Sequence, residues 1–270
     1  MDIKKINSGY VTQTVELESR ILRYFPEDYG YFFKKPLFGL NDFASKSTYI
    51  PDKNIEKQLD TFFSFQKNLL SVFIGYQGMG KSTLLKNYLH VHSSDELSVN
   101  SDKIIFSKFN WTYNHLKKNA YHLNHIFHNI NSRLCAKYQI NFSKEKEEFF
   151  HFLIQREPEL ISVDCSVQES LQELADNNKE LFEVRKLQFL LQKQCIRQFI
   201  LLIDNIEGLP PEKRYSFISK LTESFRLLTE NSSEKTVIKI LFSFRPDTLY
   251  GAQQYGCFND WEIGFYIKQM

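Results

Sequence analysis

Residues 75–83 read GYQGMGKST, and few folds can carry that string in the setting it has here. Gly75 and Gly80 bracket four residues, and Lys81 and Ser82 follow, giving the full G-x-x-x-x-G-K-[ST] spacing of a phosphate-binding loop. The apolar run Leu69 to Ile74 before it reads as a buried strand, and Thr83 to His90 after it reads as a helix. A strand must deliver such a loop and a helix must leave it, because only then do backbone N–H groups curl around a phosphate at the helix's positive end. The nucleotide-binding set is therefore Gly75, Tyr76, Gln77, Gly78, Met79, Gly80, Lys81, Ser82 and Thr83. Lys81 brings a positive charge to the β- and γ-phosphates, and the Ser82 hydroxyl is a ligand for Mg²⁺.

Two further strings narrow the reading. FILLIDNIE, residues 199–207, is an apolar strand ending in Asp204. A carboxylate at the end of a buried strand beside a phosphate loop can hold Mg²⁺ or its water, which makes Asp204 the second metal residue. Asn205 follows it, an amide that can orient water but cannot take a proton. Glu207 is then the candidate base, against the plainer reading of a solvated loop acid. KILFSFRPD, residues 239–247, ends a third buried strand in Ser243, Phe244 and Arg245. In the additional-strand type of phosphate-loop fold this strand lies between the loop strand and the Asp204 strand. Arg245 then brings a fixed cation to the γ-phosphate, and Ser243 a hydroxyl; the alternative for Arg245 is a surface ion pair.

The remaining elements are read from periodicity. Ile55, Leu59, Phe62 and Phe63 make one apolar face of a helix near Asn54 to Phe65. Ser93 to Ser101 is polar and reads as a loop; strands are expected at Ile104 to Phe109, Phe199 to Ile203, Val237 to Phe242 and Trp261 to Ile267. Helices are expected from Asn114 to Tyr138, Ser143 to Gln155, Val167 to Ala175, Lys179 to Gln198 and Glu212 to Thr229. The expectation is an α/β fold: a mainly parallel, five-stranded, doubly wound sheet with a helical insertion at residues 112–197. Residues 1–48 form an aromatic-rich lead-in that either packs on the core of residues 49–270 or docks a partner.

Composition sets the outer bounds. With 42% hydrophobic residues, 25 Phe and 14 Tyr, the chain can bury a large aromatic core. Its 34 basic and 32 acidic residues give +2, which supplies no charge argument for nucleic acid or an anionic membrane. The four cysteines, at 135, 165, 195 and 257, form no C-x-x-C, so they read as free thiols of a reducing compartment. No apolar run approaches the ~20 residues that span a bilayer, and MDIKKINSGY lacks a signal core. A cytoplasmic protein is expected. His115, His122, His125 and His128 tempt a metal assignment, but at 100° per residue they lie opposite the Leu116, Leu123, Phe127, Ile130, Leu134 stripe. They read as a solvated or partner-facing surface, and the KEKEE run 144–148 likewise as a solvated face.

Taken in order, YIPDKNIEKQLDTFF, SVFIGYQGMGKSTLL, ILLIDNIEGL and ILFSFRP resemble the nucleotide-binding core of STAND-type ATPases, within the AAA+-related P-loop NTPases, over about residues 48–267. The NACHT branch often has a small residue after the Mg²⁺ aspartate and an acid three positions on, as in Asp204-Asn205-Ile206-Glu207, and ends its fourth strand in Thr/Ser-Ser-Arg, where this chain has Phe244 in the middle. The resemblance implies ATP and Mg²⁺ as cofactors, and weakly a base contact from Tyr49, Ile50 and Pro51. It further implies a switch, with ADP holding a closed monomer and ATP exchange permitting association with a protein partner or further copies. Family members continue into a helical lid and a winged helix; here the sequence ends at Met270, where that lid is expected to begin. Three functions follow for test: a slow ATPase switch, a nucleotide-holding interaction module without hydrolysis, and a small-molecule kinase. The last would need an acceptor-binding acid and a basic lid, neither of which is evident.

Overall fold

Alternation along the strands decides the architecture. In Leu69–Ile74 (β1), Leu69 and Phe73 face one side while Leu70 and Val72 face the other, and all four are buried. A strand apolar on both faces needs helices on both, which is the signature of a covered parallel sheet. The computed structural model of the chain describes residues 53–76, 80–92, 97–100, 103–108, 123–161, 165–230, 236–258 and 265–268. The lead-in with Tyr49 to Pro51, the expected helix over 114–122, and Gln77, Gly78 and Met79 lie outside them.

One face of the sheet is covered by α1 (Lys53–Ser64) and α2 (Lys81–His92). Ile55, Leu59, Phe62 and Phe63 of α1, with Leu84, Leu85 and Tyr88 of α2, pack on Phe73, Ile105, Ile200, Leu202 and Leu241. The other face carries α3 (Leu123–Lys137), α4 (Lys146–Ile154), α5 (Val167–Asn177), α6 (Lys179–Lys193), α7 (Pro211–Thr229) and α8 (Pro246–Gln254). The expected stripe of α3 is buried at Leu123, Phe127, Ile130 and Leu134. It shares one core with Leu70, Val72, Ile104, Phe199, Leu201 and Phe242 of the sheet, so the helices inserted between strands are part of the same hydrophobic body. Arg185 of α6, 3% exposed, joins them to α7 through Glu157, Gln188 and the Leu227 carbonyl.

The sheet has six strands in the order β2-β3-β4-β5-β1-β6: β2 (Leu97–Asn100), β3 (Lys103–Lys108), β4 (Gln198–Ile203), β5 (Val237–Phe244) and β6 (Phe265–Lys268) beside β1. Four of the five pairings are parallel, and β2–β3 is antiparallel. Among the described residues the expectation of five strands is corrected to six, and that of a loop over residues 93–101 is corrected at Leu97–Asn100, the rest of that stretch lying outside them. Leu97 and Val99 alternate with Ser98 and Asn100, a period of two that four residues are too few to announce. The helix expected to reach Gln198 ends at Lys193, with Cys195 in the left-handed region at φ 52° before β4 begins.

Helix α8 carries no clear periodic signal, because Gly251 interrupts it. The glycine is there for space: a Cβ would collide with the Tyr215 hydroxyl and ring, which stack on Tyr255 at 4.5 Å. Gly251→Ala is therefore expected to destabilise the fold by about 1 kcal/mol or more despite its better helix propensity, read as a lower denaturant midpoint at unchanged slope. A higher midpoint would show that Tyr215 moves aside freely.

Candidate functional site

Parallel strands β4, β5 and β1 end at one edge of the sheet, with Ile203 beside Phe242 and Ile74 beside Phe244. Ladder-like bonds continue past those ends: Gly75 N–H donates to Phe244 O at 3.2 Å, and Asp204 N–H to Lys108 O at 2.9 Å. The loop after β1 and Asp204 after β4 are thus tied to adjacent strands, and Arg245 follows β5 at the same edge. Crevices beyond strand C-termini are where open α/β sheets bind ligands.

Gly80 closes the loop at φ +81°, a left-handed angle that favours glycine, and accepts the first bond of α2 from Leu84 N–H at 2.8 Å. Lys81 begins α2, and its ammonium folds back on the loop, donating to Gly75 O at 2.6 Å and Tyr76 O at 3.0 Å. Burial pulls its pKa below the ordinary lysine value. The charges of Glu207, Asp204 and Asp247 oppose that pull, and Arg245 adds to it. Tyr76 is exposed, and Ser82 and Thr83 are half-buried on the first turn of α2.

Asp204 is 2% exposed. Burial raises its pKa, opposed by the neighbouring Ser243 and Ser82 hydroxyls and the Asn205 N–H, while the nearby Glu207 charge raises it further; Ser243 Oγ, itself buried, makes no hydrogen bond of good geometry. Ser82, Asp204 and Ser243 are therefore neighbours. This set of hydroxyl and carboxylate oxygens suits a hard cation such as Mg²⁺, and a cation would relieve the cost of a buried carboxylate.

Asn205 adopts φ 57° and ψ 32°, the left-handed conformation. Asparagine tolerates it better than most residues, so position 205 has a backbone reason for its identity. The turn continues with Gly208 N–H on Asn205 O and Leu209 N–H on Ile206 O, and Arg214 Nη2 clamps it by donating to Glu207 O and Leu209 O at 3.0 Å each.

Glu207 is half-buried, and its Oε1 accepts from Arg245 N–H at 2.8 Å and from Thr248 Oγ1 at 3.1 Å. Arg245 is half-exposed at the start of α8. Sequence reading missed Arg214, Asp247 and Thr248. Thr248 acts through a contact 41 residues away, Arg214 through backbone carbonyls five and seven residues before it, and Asp247 through charge alone; none belongs to a spaced motif.

Away from this edge, a cavity of about 350 Å³ is lined by Asn124, His125, His128, Asp176, Lys179, Phe182 and Glu183, among others, and by none of the site residues. His125 and His128 are exposed, as expected, but His128 also pairs with Glu183 at 2.8 Å, and Lys193 bridges Glu145 and Glu148 of the charged run. Among the described residues no three or more His, Cys, Asp or Glu side chains gather as a metal-binding group, all four cysteines are free thiols, and no helix is long and apolar enough to cross a membrane. Comparison of the sequence with protein-family models and with curated proteins finds no match.

Proposed function

We propose that the chain is the core of a P-loop NTPase of the additional-strand type, STAND-like, that binds ATP with Mg²⁺ and acts as a slow ATPase switch. The observation that carries the reading is the strand order. β5 lies between β1 and β4, so the loop, Asp204, Ser243 and Arg245 share one edge. A phosphate loop alone is compatible with many folds, whereas this order is the one in which a third strand end faces the terminal phosphate. In this reading the loop amides and Lys81 hold the phosphates, and Ser82 and Asp204 supply the oxygen donors for Mg²⁺. Bound Mg²⁺ would neutralise charge developing on the phosphate oxygens. Arg245 distinguishes triphosphate from diphosphate.

Calorimetric titration of the purified chain with ATP and ADP, each with and without Mg²⁺, tests this. Saturable MgATP binding tighter than ADP is the expected result. No binding by the folded protein would overturn the proposal, and equal affinities would remove the role given to Arg245. A second reading, a nucleotide-holding module without hydrolysis, is favoured by Asn205, whose amide stands where a proton acceptor would be useful. It is separated from the first by turnover no faster than that of Asp204→Asn.

A further inference from the structure

We infer that Glu207 is a positioning residue, the remote N-terminal cap of α8 that fixes Arg245 relative to Asp204, and that it is not the proton acceptor; the inference rests on the nucleotide reading of the site. The local problem is at the start of α8. Arg245 occupies the cap position, with φ −81° and ψ 156°, yet its side chain makes no cap bond, and Pro246 follows at the first helical position. Arginine is a poor capping residue, so the end of this helix needs an acceptor from elsewhere.

In a capping box that acceptor is a Glu at the third helical position, reaching back to the cap residue's N–H. Here the third position is Thr248 and the carboxylate arrives from the β4–α7 turn. Glu207 Oε1 accepts the Arg245 N–H, and the Thr248 hydroxyl, fully buried, donates to the same oxygen. A negative charge at this end also suits the helix dipole. Supplying the cap from outside frees position 245 for a residue whose side chain is charged.

The turn that offers Glu207 is itself fixed by the left-handed Asn205, its two internal bonds and the Arg214 clamp. Only Asn205 and Ile206 separate Glu207 from Asp204 in that turn, so one short rigid segment sets both the carboxylate beside Ser82 and the backbone of Arg245. Both donors fall on Oε1, so one oxygen of the carboxylate is held by structure and the group is oriented by the start of α8.

Glutamine reproduces the acceptor at Oε1 but cannot act as a base, so Glu207→Ala and Glu207→Gln divide the two roles. Two readouts are used: hydrogen exchange of the Arg245 amide in the free protein, and the ratio of ATP to ADP affinity. Glu207→Ala should speed exchange about three- to thirty-fold, the range for loss of a helix cap, and shrink the ATP preference. Glu207→Gln should restore both. Thr248→Val, which keeps shape and removes one donor, should speed exchange less than the alanine variant, and it carries the test if that variant does not fold. Unchanged Arg245 exchange in Glu207→Ala would overturn the inference. So would a glutamine variant with full amide protection and turnover lowered a hundredfold. If wild type binds no nucleotide while the exchange pattern holds, the nucleotide reading alone has failed.

Discussion

Lys81→Ala is expected to weaken MgATP binding about tenfold to a hundredfold while leaving the fold intact. A hydrogen bond to a charged group contributes about 1.5–3 kcal/mol, and each 1.4 kcal/mol is a factor of ten in affinity. In the proposed reading Lys81 makes that contact; its ammonium sits on Gly75 O and Tyr76 O, in the field of Asp204, Glu207 and Asp247. Stability should change little, because the side chain is only half-buried and water can reach the carbonyls it leaves. Calorimetry on the variant, with its unfolding curve recorded in parallel, gives both numbers. Affinity within twofold of wild type would mean that the loop does not hold the phosphates.

The second large effect concerns pH. Lys239 of β5 is fully buried, and its Nζ donates to Phe62 O at 2.6 Å and Phe63 O at 3.2 Å, closing the carboxyl end of α1. Burial, with the neighbouring Lys103 charge, lowers its pKa from 10.5 to about 7. Below about pH 7 the ammonium is charged in both folded and unfolded chains, and the burial penalty is constant. Between about 7 and the ordinary lysine value the unfolded chain holds the extra proton, so stability rises with pH, by up to about 1.4 kcal/mol per unit from this group. The neutral amine keeps two N–H groups for the two carbonyls, so nothing is lost when it discharges. Cys135 and Cys257, whose thiols burial pushes up, slope the other way above pH 8. The informative quantity is thus the difference between wild type and Lys239→Met from pH 7 to 9.5. Wild type should gain relative to the variant as pH rises; parallel curves would show that Lys239 keeps its proton throughout.

What the sequence disclosed followed the range of the interaction. The strand and helix that flank residues 75–80 were legible because their signal is local: Leu69–Ile74 and the helix from Lys81 announce themselves by apolar content. β4 and β5 were legible because a strand buried on both faces is a continuous apolar run, as in FILLI and ILFSF. β2 was not, since an edge strand of four residues is too short to show a pattern. α8 was not, since its glycine answers to Tyr215, 36 residues earlier in the numbering. Glu207 could be nominated as an acid near the site. Its bond to the Arg245 amide spans 38 residues and leaves no trace in spacing. Asn205 read as a chemical departure at the sequence level, and its left-handed backbone adds a conformational reason.

The position of β5 has a consequence for how the chain is made. β1 takes its partner from a strand synthesised far later: Leu69 pairs with Lys239, and Asn68 Oδ1 accepts the Ile238 N–H across 170 residues. At a ribosome's pace of about 5–20 residues per second, β1 waits on the order of ten to thirty seconds for its neighbour. Its other partner, β6, arrives later still. Throughout that interval a six-residue apolar ribbon, LLSVFI, is outside the tunnel with both edges open. The first described shelter comes from α1 and α2, which are translated on either side of it and bury one of its faces; α3 to α6, which share the core of its other face, follow before β5. The centre of this sheet is assembled last, and its cellular yield should depend on how long those two helices can keep the nascent ribbon from its copies on neighbouring ribosomes.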